Sequence, residues 1–165
     1  MEWNMGLQLK AMVHDIEPGS DGLMYAVDMG QNAVVILDPE TGERETYRLP
    51  NRYRGPHSIE PDLEGNMWIT CCISGEMAKF DIKTKAFTIT SSAEAPACRS
   101  SYPHTLRVDP KDLAGLIWYT DAGRNSCFSI HPKTLKVKEY HLLRKDQAVA
   151  AGKGESRGIT PYGID

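Results

Sequence analysis

Three histidines recur in one setting along the chain: Val13-His14-Asp15-Ile16, Pro56-His57-Ser58-Ile59 and Pro103-His104-Thr105-Leu106. A second set follows in step, with Asp28, Cys71 and Asp121 each three residues after an aromatic, Tyr25, Trp68 or Trp118. Asn32, Arg124 and Asn125 stand just behind them. Imidazoles, carboxylates and amides gathered on one surface can hold a small molecule or a divalent ion, since they offer convergent donors and acceptors. The same residue types also have a structural use. A histidine at the head of a strand can tie neighbouring sheets by hydrogen bonds, and Asp or Asn in a turn can bond the backbone two residues on. Both readings apply to His14, Asp28, Asn32, Cys71, Asp121, Arg124 and Asn125, the candidate ligand-binding residues. The adjacent Cys71-Cys72 pair reads as a soft-metal or redox site, or as small buried thiols, with no basic cluster nearby to favour the thiolate.

The elements that would carry these residues are set by an internal repeat. A glycine stands three residues before the aromatic in all three copies (Gly22, Gly65, Gly115). Thirteen residues after the aromatic comes Asp38, Asp81 or His131, and three further on Thr41, Thr84 or Thr134. The copies begin 43 and then 47 residues apart, close to the period of a propeller blade. Each copy predicts four short strands, because brief apolar runs bounded by Gly, Asp and Thr clusters mark strands and turns. In the second copy these are His57–Pro61, Met67–Cys71, Glu76–Asp81 and Ala86–Thr90. In the third, Ile117–Asp121, Ser126–Ile130 and Lys136–Leu142 follow the inner strand. Trp68 and Trp118 are expected to pack between blades, and Asp38 and Asp81 to cap the turn from third to fourth strand.

The fold class is therefore all-β, a β-propeller fragment of about three four-stranded blades from a parent with six or seven. The blades span 13–50, 56–92 and 103–142, after an N-terminal segment, 1–12. A polar insertion fills 143–160, and 161–165 begins a further blade. The start of the inner strand and the turn between the second and third strands lie at one end of a blade. His14, His57 and His104 thus share a rim of the central channel with Asp28, Cys71 and Asp121. Glu17 and Glu60, three residues past their histidines, are expected to point elsewhere. Propellers close with about four to eight blades, so missing blades or a second chain are needed to complete the ring.

Bulk properties exclude several classes. A net charge of −3 at pH 7 gives no electrostatic case for nucleic acid or an acidic membrane. No apolar run approaches the roughly 20 residues of a membrane span, and the first residues lack a signal peptide's basic and apolar regions. A soluble protein is expected, with its compartment left open. Four cysteines, Cys71, Cys72, Cys98 and Cys127, form no CxxC and no zinc spacing. Cys98 would reach Cys71 or Cys72 only if the segment around it folded over the rim.

Pro56-His57-Ser58-Ile59, Pro103-His104-Thr105-Leu106, Gly65-Asn66-Met67-Trp68-Ile69-Thr70, Lys79-Phe80-Asp81 and the final Pro161-Tyr162-Gly163-Ile164 resemble the streptogramin B lyase (virginiamycin B lyase) family. The resemblance runs over roughly residues 13 to 165. It implies a seven-bladed propeller with a magnesium-assisted site at one mouth, and a role in antibiotic resistance. It also implies carbon–oxygen lyase chemistry, in which a cyclic depsipeptide is linearised by β-elimination beside its ester bond. His57 and His104 occupy the kind of blade position that supplies catalytic residues. The family's catalytic His and its Glu/His neighbours lie in later blades, and this sequence has no Glu-x-His, so the fragment alone is expected to be inactive. Two other readings stand: a non-catalytic propeller binding a ligand or a protein, and a sugar-lactonase-like hydrolase.

Overall fold

A computed structural model describes residues 11–91, 101–109, 111 and 114–142. Cys98, the insertion at 143–160 and the blade start at 161–165 lie outside the described residues. Twelve strands form three four-stranded antiparallel sheets, and no helix occurs among the described residues. The first sheet holds β1 (Val13–Pro18), β2 (Met24–Asp28), β3 (Ala33–Leu37) and β4 (Arg44–Arg48). The second holds β5 (Pro56–Pro61), β6 (Met67–Cys71), β7 (Glu76–Phe80) and β8 (Phe87–Ser91). The third holds β9 (Pro103–Val108), β10 (Ile117–Asp121), β11 (Ser126–Ile130) and β12 (Val137–His141). Each sheet is a meander in which every strand pairs with its sequence neighbour.

The sheets pack face to face through their alternating apolar residues. Tyr25, Val27, Val34 and Ile36 of the first sheet meet Met67, Ile69, Ala78 and Phe80 of the second. The other face of the second sheet gives Trp68 and Met77 to a cluster with Leu106, Ile117, Tyr119, Phe128 and Ile130 of the third. The strand period of two thus puts Met67 and Trp68, neighbours in sequence, into two different seams. Trp68 packs between sheets as predicted. Trp118 is half-buried and lies against Tyr140, ring centroids 5.1 Å apart. All five positions of β3 are buried.

Two turn devices repeat. Asp38 accepts from the amides of Glu40 and Thr41, and Asp81 from those of Lys83 and Thr84. These backbone hydrogen bonds hold both carboxyls below the usual range. His131 stands in for Asp, its Nδ1 receiving the amides of Lys133 at 3.2 Å and Thr134 at 3.4 Å. At the turn after each inner strand, Gly22, Gly65 and Gly115 adopt φ of 84°, 86° and 60°. A Cβ on Gly65 would stand 2.6 Å from Ser20 Oγ, and one on Gly115 2.9 Å from Leu63 Cδ1. All three positions need glycine for the left-handed backbone, and Gly65 and Gly115 also for the close approach of the preceding blade.

Candidate functional site

The three sheets touch along their first strands, β1 against β5 and β5 against β9. Each of these strands breaks register with its partner where the histidine sits. The pairing skips His14 in β1, His57 and Ser58 in β5, and His104 and Thr105 in β9. Such a bulge re-aims side chains and leaves backbone groups unpaired. Threonines repair it. The amide of Ser58 donates to Thr70 Oγ1 at 3.0 Å, and that of Thr105 to Thr120 Oγ1 at 3.3 Å. The Thr70 hydroxyl donates in turn to the His104 carbonyl at 2.6 Å, stitching the second sheet to the third. From the first sheet, Asp15 Oδ2 accepts from Ser58 Oγ at 2.7 Å and from the Ile59 amide at 3.1 Å.

The bulges bring the imidazoles together. The His14 and His57 ring centroids lie 4.2 Å apart, and those of His57 and His104 4.0 Å apart, with Tyr102 beside His104 at 6.1 Å. The row runs from exposed His14 through half-buried His57 to buried His104. Burial, with its neighbours His104 and His14, pushes the His57 pKa down to about 4. Its ring is therefore neutral at physiological pH, and its buried Nδ1 has no hydrogen-bond partner. A neutral imidazole has one donor and one acceptor nitrogen, and Nδ1 is closed to solvent.

The remaining candidates are held by their own turns. Asp28 and Asp121 are fully buried. Asp28 Oδ1 accepts from the amides of Met12 and Gln31, and Oδ2 from Gln31 Nε2 at 2.6 Å. Asp121 Oδ1 accepts from the amides of Tyr102 and Arg124, and its other oxygen from Ser101 Oγ. Both carboxylates thus tie the approach to an inner strand to the turn after the second strand. Cys71 holds the same position in the second sheet, where burial pushes its thiol far up and leaves it unreactive. Asn32 and Asn125 have φ of 54° and 55°, with Gly75 at 67° in the matching place. Asn32 also accepts from the Arg54 amide at 2.8 Å and donates to the Arg52 carbonyl at 3.1 Å. Arg124 makes a two-pronged bond to Glu139 at 3.2 and 2.9 Å. Burial works against the charge on Glu139, but hydrogen bonds from Arg124 and Ser126 outweigh it and hold its pKa down.

Glu17, Glu60 and Arg107, three residues past the histidines, form a second row on the same strands. Arg107 Nη1 lies 3.5 Å from Glu60 Oε2. Burial and the neighbouring Glu17 push Glu60 up to about 7, with Arg107 opposing. The odd spacing from the histidines argued against this row; a bulge at each histidine resets the alternation of the strand.

No protein-family model and no curated protein sequence matches the chain. Among solved structures, it is similar to a catalytically inactive virginiamycin B lyase from Staphylococcus aureus bound to quinupristin, with TM-score 0.74 and 19% identity. That match covers 87% of this chain and 46% of the other. A streptogramin B lyase gives TM-score 0.75 at 20% identity, covering 88% and 45%. The fold is a β-propeller. Its blades are the three sheets, β1, β5 and β9 are their inner strands, and the chain spans less than half the length of those two lyases. A periplasmic gluconolactonase from Pseudomonas aeruginosa is also similar, with TM-score 0.58 and 18% identity over 78% of this chain and 40% of the other.

No group of three or more His, Cys, Asp or Glu side chains among the described residues is arranged to hold a metal ion. The blade histidines lie against one another with tilted rings, and Asp28 and Asp121 are taken up by backbone amides and neighbouring side chains. These residues therefore do not fit the magnesium that the lyase resemblance implies. No helix among the described residues is long and apolar enough to cross a membrane.

Proposed function

We propose that this chain supplies one side of the ligand-binding mouth of a streptogramin-lyase-like propeller acting on a cyclic depsipeptide or another ester-containing small molecule. The observation that supports this reading is the row of three imidazoles in contact, with a neutral His57 at its centre. In the elimination, an imidazole takes a proton from the carbon next to the one that bears the ester's alkyl oxygen. The carbon–hydrogen electron pair becomes a carbon–carbon double bond, and the carbon–oxygen bond breaks to release a carboxylate. With His57 so weak a base, proton removal belongs to His104 or to a residue of another blade, and His57 serves as a hydrogen-bonding contact. Magnesium, where the reaction uses it, would draw its ligands from further blades.

The test is ring opening of a streptogramin B-type depsipeptide by the protein carrying the complete ring. Elimination leaves a linear product of unchanged mass, whereas hydrolysis adds a water. General acid–base groups contribute roughly 10²- to 10⁴-fold, so His104→Ala is expected to reduce turnover by at least about 100-fold, with dependence on a divalent ion. Turnover that survives both His104→Ala and chelation would overturn the assignment. A second reading, a propeller that binds its ligand without chemistry, is favoured by the low basicity of His57. It predicts a saturable ligand that His57→Ala weakens and that emerges unchanged.

A further inference from the structure

The row formed by Glu17, Glu60 and Arg107 lies one step along the inner strands from the histidines and serves none of the chemistry above. Its geometry is unbalanced. Three carboxylates, Asp15, Glu17 and Glu60, act on one another where blades 1 and 2 meet, against a single guanidinium. Asp15 cannot swing away, because its carboxylate is pinned to blade 2 by the Ser58 hydroxyl and the Ile59 amide. Arg107 is a loose partner. It is 3.5 Å from Glu60, its side chain is 41% exposed, and it also donates to the Leu106 carbonyl at 2.8 Å. From β6 the residue opposite Glu60 is Trp68, which carries no charge. His57 of the same strand, with His14 and His104 beside it, stands beyond Asp15 and Ser58 in the first row.

We propose that Glu17, Glu60 and Arg107 form a protonation-dependent contact at the seam, with Glu60 taking up and releasing the proton, and that its charge state sets how firmly blade 1 is held against blade 2. Protonated, Glu60 spans the seam without repulsion. Ionised, it faces Glu17 and the pinned carboxyl of Asp15 across the seam, with Arg107 on the other side to compensate. Burial and Glu17 raise the Glu60 carboxyl to about 7, and burial and Asp15 also raise that of Glu17. For a carboxyl raised by folding, the unfolded chain binds fewer protons between the two pKa values. The contribution of Glu60 to stability is then fully present below the unfolded value and is lost as pH rises towards about 7, while His57, held neutral, contributes in the opposite sense.

The experiment is a thermal and urea unfolding series of the full chain from pH 5 to 8.5, alongside side-chain carboxyl NMR of Glu60. Glu60 is expected to titrate near neutrality, with the midpoint moving down in Glu17→Gln and up in Arg107→Met. Glu60→Gln is expected to gain Tm relative to the parent as pH rises from 5 to 7, and to unfold later than the parent at pH 8. Hydrogen exchange at alkaline pH should quicken first in β1 and β5. A Glu60 midpoint in the ordinary carboxyl range would overturn the proposal. So would a Glu60→Gln variant whose Tm offset is the same at every pH. If Glu60→Gln does not fold, the NMR midpoints of the parent and of Glu17→Gln decide the matter alone.

Discussion

At the residue scale, the site depends on who satisfies the backbone at each bulge. Thr70 is fully buried, accepts the Ser58 amide and donates to the His104 carbonyl. Replacing it with the near-isosteric Val removes both bonds and leaves the buried Ser58 amide without its acceptor. A buried polar group left unsatisfied costs about 1–3 kcal/mol, so Thr70→Val is expected to destabilise by that order in chemical denaturation. It should also shift the His57 and His104 ring resonances, because the bulge that aims them loses its tie. An unchanged denaturation midpoint would mean that the hydroxyl carries no weight. The histidine row was legible in the sequence because the repeat places all three residues alike. The parts played by Asp28 and Asp121 were legible only in half. Their types suit a ligand rim and a turn equally well, and only burial shows that backbone amides occupy their oxygens. The acidic row was not legible, since an alternation count from His57 to Glu60 takes no account of the bulge between them.

At the scale of strands and turns, the sequence carried more. β6, β10 and β11 begin and end where the apolar runs do, since Gly, Asp and Ser clusters bound them tightly. β7 stops at Phe80, one residue short of expectation, because Asp81 leaves the ladder to cap the turn. The same turn holds a testable strain. Its left-handed position is Gly42 in blade 1, with φ 77°, but Lys85 and Leu135 in the others, with φ 59° and 58°. A left-handed conformation costs a non-glycine L-residue about 1–2 kcal/mol. Glycine gives back part of that through unfolded-chain entropy. Lys85→Gly is therefore expected to stabilise by about 0.5–1 kcal/mol, read as a higher urea midpoint. Leu135 is a poorer choice because it packs against the core of the second seam. A lowered midpoint for Lys85→Gly would show that its contact over the Tyr25 ring, 5.9 Å from the centroid, outweighs the backbone strain.

At the scale of the whole molecule, three sheets make two seams, and each seam is a core of its own. Trp68 belongs to the second seam, where its indole donates to Asp62 at 3.0 Å and packs among Leu106, Ile117 and Tyr119. Trp→Ala at a buried site costs about 3–5 kcal/mol. Trp68→Ala is expected to strip amide-exchange protection from β9–β12 first, while the seam between blades 1 and 2 retains more of it. Uniform loss across all three blades would instead show that the seams melt as one unit.

The meander of each sheet has a kinetic consequence. Among the described residues every strand pairs with the one just before or after it in sequence, so none of these ladders waits for a distant segment to return. Contact order within a blade is low, and low contact order goes with fast folding. A chain built this way behaves approximately as a one-dimensional array, each unit contributing its own stability and a term for its neighbour. Adding one copy of about 43 to 47 residues then lengthens the array without rewriting any existing pairing. Gene duplication can grow such a protein one module at a time, and the bulged histidine is copied with each module.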